Sequence, residues 1–107
     1  MKNIDFLCAE CGNEIAKEVK EESVIQKCLG VLEENGIYAF VVYSDSKDEK
    51  TRKILKKTEK FLKENNFIQE NLKEESIYVN LGKLLLIKEI IQKALIYARY
   101  HAKASGD

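Results

Sequence analysis

Eight basic residues crowd one short stretch of this chain. Lys47, Lys50, Arg52, Lys53, Lys56, Lys57, Lys60 and Lys63 are opposed there only by Asp48, Glu49 and Glu59. Threaded among them, Ile54, Leu55, Thr58, Phe61 and Leu62 recur at helical spacing and form one stripe able to face a core. The whole chain has a formal net charge of zero, so the lysines reflect separation of charge within a neutral protein. A single basic helix face of this kind suits a polyanion. A second basic zone closes the chain, where Lys83, Lys88, Lys93, Arg99 and Lys103 meet only Glu89. Arg99 and Lys103 would extend the first face if their helix lay beside the lysine helix.

Other residue types suggest other chemistry. Cys8-Ala-Glu-Cys11-Gly12 has the spacing of half a zinc knuckle, and Cys28 and His101 would complete four ligands on paper. A knuckle needs a second close pair, which the chain lacks. On a helix, residues three apart share one face, so two small apolar cysteines turned to the core explain the spacing without metal. One residue separates Arg99 from His101, too few for the Arg–His pairs of helical ribonucleases, and His101 suits the end of a helix. No Gly-rich phosphate loop, HExxH helix or G-x-S-x-G elbow is present. The acid pairs Glu21-Glu22, Glu33-Glu34 and Glu74-Glu75 point about 100° apart on a helix, as solvated charges do. The reading is therefore of a non-enzymatic chain without cofactor or metal. Its rival is a free-standing helical domain with a Cys/His metal or redox site, or a protein-interaction bundle.

The totals bound what can position these residues. A chain of 107 residues fits one domain, residues 1–107, with a thin core that association would help. Apolar residues at 45% and charged residues at 34% indicate a globular chain. Absence of proline and abundance of Lys, Glu, Leu and Ile favour long helices, and Lys with Glu hints at a thermophilic source. The stretch MKNIDFLCAE lacks the apolar run of a secretory signal, and Leu84–Ile87 is cut short by Lys88 and Glu89. Three cysteines cannot all pair within one chain, so a reducing cytoplasm is expected, with no membrane segment.

The spacing predicts an all-α, compact helical bundle of about five helices. The first runs from about Ile4 to Lys20 and buries Leu7, Cys8, Cys11, Ile15 and Val19. Gly12, mid-helix, costs roughly 1 kcal/mol relative to alanine and implies a close helix contact or a break. Ser23 is the expected N-cap of a second helix that stops at Asn35-Gly36. Ile37–Tyr43, apolar and β-branched, reads as a strand by propensity. With no partner strand its backbone would go unsatisfied, so a short buried helix is expected. Ser46 with Glu49 fits a capping box for the lysine helix, which ends near Asn65-Asn66. Glu49–Lys53 and Glu59–Lys63 are expected i,i+4 pairs on it. Phe67, Ile68 and Leu72 anchor the next stretch. Asn80 caps a last helix from Leu81 to about Lys103, with Leu84, Ile87, Ile91, Ala94, Leu95 and Ala98 inward.

Residues 23–44, SVIQKCLGVLEENGIYAFVVYS, resemble the small helical subunit of type III-B (Cmr) CRISPR RNA-guided effector complexes. An apolar helix with Val31-Leu32 ends in Asn35-Gly36, and a second apolar stretch carries Ala39-Phe40. Near the C-terminus, Leu95-Ile96-Tyr97-Ala98-Arg99-Tyr100-His101-Ala102 is similar to the family's last helix. The family often has a proline before the turn, which this chain lacks, and its members are usually longer. The resemblance implies an antiviral, non-catalytic, all-helical subunit that lines the groove holding guide RNA and target RNA. It also implies other Cmr subunits as partners and self-association by stacking. Lys50, Lys53, Lys56, Lys57, Lys60 and Lys63 are the leading candidates for phosphate contact, with Arg52, Arg99 and Lys103 beside them. Tyr38, Tyr43, Tyr78, Tyr97 and Tyr100 are candidates to stack on bases. Acidic Glu21, Glu22, Glu33 and Glu34 would meet the basic face of a neighbouring copy.

Overall fold

The computed structural model describes residues 3–106, with side chains through residue 105. Met1 and Lys2, part of the stretch read for a targeting signal, lie outside the described residues, as does Asp107. Five α-helices follow in order: α1 (Ile4–Val19), α2 (Glu22–Asn35), α3 (Ile37–Ser46), α4 (Glu49–Glu64) and α5 (Leu81–Gly106), with one 3-10 turn at Glu75–Tyr78. The described residues contain no strand, and the all-α bundle expected from periodicity is the architecture observed. Its radius of gyration, 12.8 Å, is that of a globule of this length.

The long α5 is the spine. α1 lies along it in the same direction: Asp5 pairs with Lys93 at 2.6 Å, the Cys8 thiol donates to the Ile90 carbonyl, and Gly12 sits against Ala94, Tyr97 and Ala98. A Cβ on Gly12 would stand 2.6 Å from the Ala98 nitrogen and 2.8 Å from the Ala94 carbonyl oxygen. Those are backbone atoms that cannot step aside, so glycine here sets the helix separation. α2 runs antiparallel on the other flank of α5, with Gln92 donating to Glu33 at 2.7 Å and Arg99 bonded to Glu22 at 3.1 Å. α4 packs antiparallel to α1 and against α3, so α1 stands between α4 and most of α5.

Gly36 joins α2 to α3 with φ 92° and ψ −176°, a conformation open to glycine. Its N–H reaches the Leu32 carbonyl and its own carbonyl receives the Phe40 N–H, so one residue ends one helix and starts the next. Ile37–Tyr43 is helical, and Phe40 is fully buried. Two expected caps move. α2 starts two residues earlier, after Glu21, and Ser23 is exposed within it. Asp48 caps α4: its carboxylate accepts the Thr51 N–H at 2.9 Å, and the Thr51 hydroxyl accepts the Asp48 N–H. Ser46 instead ends α3 and donates to the Val42 carbonyl. The Thr51 hydroxyl also reaches the Ser44 carbonyl at 2.8 Å, which couples the two helices and favours the Asp48 register. Between α4 and α5, Ile68, Leu72 and Ile77 are buried anchors, and Asn80 caps α5 through the Lys83 N–H at 3.0 Å.

Candidate nucleic-acid interface

α4 buries Thr51, Ile54, Leu55, Thr58 and Leu62, as its apolar stripe requires. With residues turned by about 100° each, the opposite surface carries Lys53, Lys56 and Lys60, flanked by Arg52 and Lys63. All five are exposed. Lys53, Lys56 and Lys60 make no ion pair or hydrogen bond among the described residues. Arg52 reaches the Asp45 carbonyl at 3.5 Å and Lys63 donates to the Asn71 side chain. These residues form an outward ridge, bounded by Glu49 and Glu64 at the helix ends.

Lys50 and Lys57 belong to a different surface. They lie on the flank facing α1, where Lys50 pairs with Glu21, and Lys57 lies 3.7 Å from Glu18 and 3.9 Å from Glu14. Lys57 and Lys60 line a cleft of about 480 Å³ between α1 and α4 whose walls also bring Glu10, Glu14 and Glu64. That mixture of signs does not suit a polyanion. Arg99 and Lys103 stand on α5, apart from the ridge, because α1 intervenes. Arg99 is bonded to Glu22, while Lys103 has no partner among the described residues. Thus Lys53, Lys56, Lys60, Lys63 and Arg52 come together, and Lys50, Lys57, Arg99 and Lys103 do not join them.

Three of the four acids assigned to a neighbouring copy are held within the chain. Glu21 and Glu22 hold Lys50 and Arg99, and Glu33 accepts from Gln92. Only Glu34 of the four acids assigned to a neighbouring copy has no partner among the described residues. The expected i,i+4 pairs on α4 are also absent. Glu59 turns to the connecting segment and accepts the Leu72 N–H at 2.7 Å.

The tyrosines divide between scaffold and surface. Tyr97 packs against Gly12, Tyr43 is half-buried, and the Tyr78 hydroxyl donates to the Leu72 carbonyl at 2.7 Å, its pKa pushed up to about 12 by burial. Tyr38, edge-on to Tyr78 at 5.6 Å, and Tyr100 remain exposed. The cysteines are core residues. Burial pushes the Cys8 thiol up to about 11 and those of Cys11 and Cys28 to about 12. Among the described residues, no three of His, Cys, Asp and Glu gather in a way that could hold a metal ion.

One surface was missed by periodicity. Val79, Leu81, Leu85 and Leu86 lie open at the start of α5, where Val79 is 77% and Leu81 70% exposed. The only signal was the unbroken run Leu84–Ile87, which fills more than one face of a helix. No helix among the described residues is long and apolar enough to cross a membrane. Compared with protein-family models, curated proteins and solved structures, the chain matches none.

Proposed function

We propose that this protein is a non-catalytic structural subunit of an RNA-guided CRISPR effector complex of type III-B (Cmr). In this reading the α4 ridge lines the groove that holds guide RNA and target RNA. The observation that carries it is the trio Lys53, Lys56 and Lys60, exposed on one rigid face with no acid to satisfy them. Lysines fixed on a helix attract phosphates without reading bases, which a subunit serving guides of any sequence requires. The order of elements supports the same reading: an apolar helix closed by Asn35-Gly36, a short buried helix, the lysine helix, and a long terminal helix bearing Leu95–Ala102. Open apolar side chains at the start of α5 suit a chain that seats against other subunits.

The test is co-expression with the remaining subunits of such a complex and a guide RNA. The protein should co-purify with the assembly, and a Lys53→Glu, Lys56→Glu, Lys60→Glu variant should assemble but retain target RNA poorly. Failure to co-purify would defeat the assignment. A second reading, a protein-interaction bundle without a nucleic-acid role, draws on the same apolar surface. It requires RNA binding to be absent at low salt and partner binding to be insensitive to salt.

A further inference from the structure

A groove of about 690 Å³ runs between the C-terminal halves of α1 and α5, lined by Asn13, Ala16, Lys17, Lys20, His101 and Ser105. Among the described residues its lining has two lysines, an imidazole, an amide and a hydroxyl, and no carboxylate. None of these polar side chains makes a hydrogen bond or ion pair among the described residues. The contrast with Lys50, held by Glu21 just before α2, and Lys57, held by Glu14 and Glu18 of α1, is direct.

Lys20 adds a separate observation. It follows α1 with φ 64° and ψ −20°, left-handed backbone that glycine or asparagine takes with less strain. A basic residue in the last turn of each helix is expected from the helix dipole. The dipole explains neither a lysine at the strained position nor an amide and a hydroxyl lining the same groove.

We propose that this groove is a phosphate-binding site, in which Lys17 and Lys20 supply positive charge and Asn13, His101 and Ser105 supply hydrogen bonds. Converging donors of this kind match the several acceptor oxygens of one phosphate group. The ligand is a phosphorylated compound, with its phosphate either free, at the end of a nucleic-acid strand, or within the strand. The site lies apart from the α4 ridge and stands whether or not that ridge binds RNA.

His101 is the only histidine of the chain, so its ring resonances report on the groove without ambiguity. Inorganic pyrophosphate, titrated at constant ionic strength against chloride, should shift them saturably. Replacing Lys17 by alanine and Lys20 by glycine should weaken that binding about tenfold or more. Lys20→Gly relieves the left-handed strain, so this variant should melt no lower than Lys17→Ala alone, and lost binding is not lost folding. A short RNA bearing a 5′-phosphate and the same RNA with a 5′-hydroxyl separate the sources. A shift with the first only assigns the site to a terminal phosphate, a shift with both to the strand, and a shift with pyrophosphate alone to a free phosphate compound. No shift with any of the three, or pyrophosphate binding unchanged in the double variant, would overturn the proposal.

Discussion

The two sides of α4 carry the same residue type and lead different lives. On the flank toward α1, Lys50 and Lys57 are held by Glu21, Glu14 and Glu18. On the outward ridge, Lys53, Lys56 and Lys60 have no such partner among the described residues. The difference teaches that a lysine-rich helix is not one binding surface. Its neighbours decide which charges remain available, and here α1 withdraws one side. Exposed pairs of this sort contribute little to stability, on the order of 0–1 kcal/mol each, but they still lower the local potential that a polyanion meets.

The largest expected effect breaks the ridge. Lys53→Glu, Lys56→Glu and Lys60→Glu together should weaken binding of duplex RNA by more than ~100-fold at about 0.1 M salt. The melting temperature should stay close to that of the parent, since all three side chains are exposed. Filter binding and thermal melts measure the two quantities. Next in size is a change at the seat of α1. Gly12→Ala places a methyl group against the backbone of α5 and should destabilise the fold by about 2 kcal/mol, even after the gain in helix propensity. Chemical denaturation reads that loss. RNA affinity of the folded fraction should hold, because Gly12 meets α5 while the ridge lies on α4.

A gain follows if the flank is released. Glu14→Gln, Glu18→Gln and Glu21→Gln free Lys50 and Lys57, and RNA binding should tighten about fivefold at low salt, with the gain vanishing as salt rises. Unchanged affinity would mean that the flank never faces RNA. The smallest effect concerns the start of the helix. The Thr51 backbone N–H, the Thr51 hydroxyl and nearby Lys47 hold the Asp48 carboxyl below the usual carboxylate range. A depressed carboxylate stabilises above its unfolded value and loses that contribution as pH falls through its folded value. Melting temperatures taken downward from about pH 4 should therefore drop by a small increment that Asp48→Asn lacks.

The helices were legible because apolar residues recur at their period, and Gly12 announced a close contact that the packing against Ala94 and Ala98 explains. Ile37–Tyr43 was legible only by elimination, since its propensity favours a strand and the missing partner strand decides against it. Cap positions slipped by two residues because Ser46 and Asp48 are both good caps. The choice between them rests on the Thr51 hydroxyl reaching Ser44. The division of the lysines was not legible at all. It depends on which face of α1 meets α4, a tertiary fact that no spacing within residues 47–63 encodes. For the same reason Glu59 looked like a partner for Lys63 and instead anchors Leu72. Nor could spacing reveal that Arg99 would be held by Glu22 on α2.

The most direct test of the ridge is the salt dependence of RNA binding in two neutralised variants. Each phosphate contact contributes about 0.7–0.9 to the slope of log affinity against log salt. With Lys53, Lys56 and Lys60 changed to glutamine the slope should fall by about 2 to 3, and with Lys50 and Lys57 changed to glutamine it should barely move. Equal slopes in both variants and the parent would contradict a phosphate-binding ridge on α4.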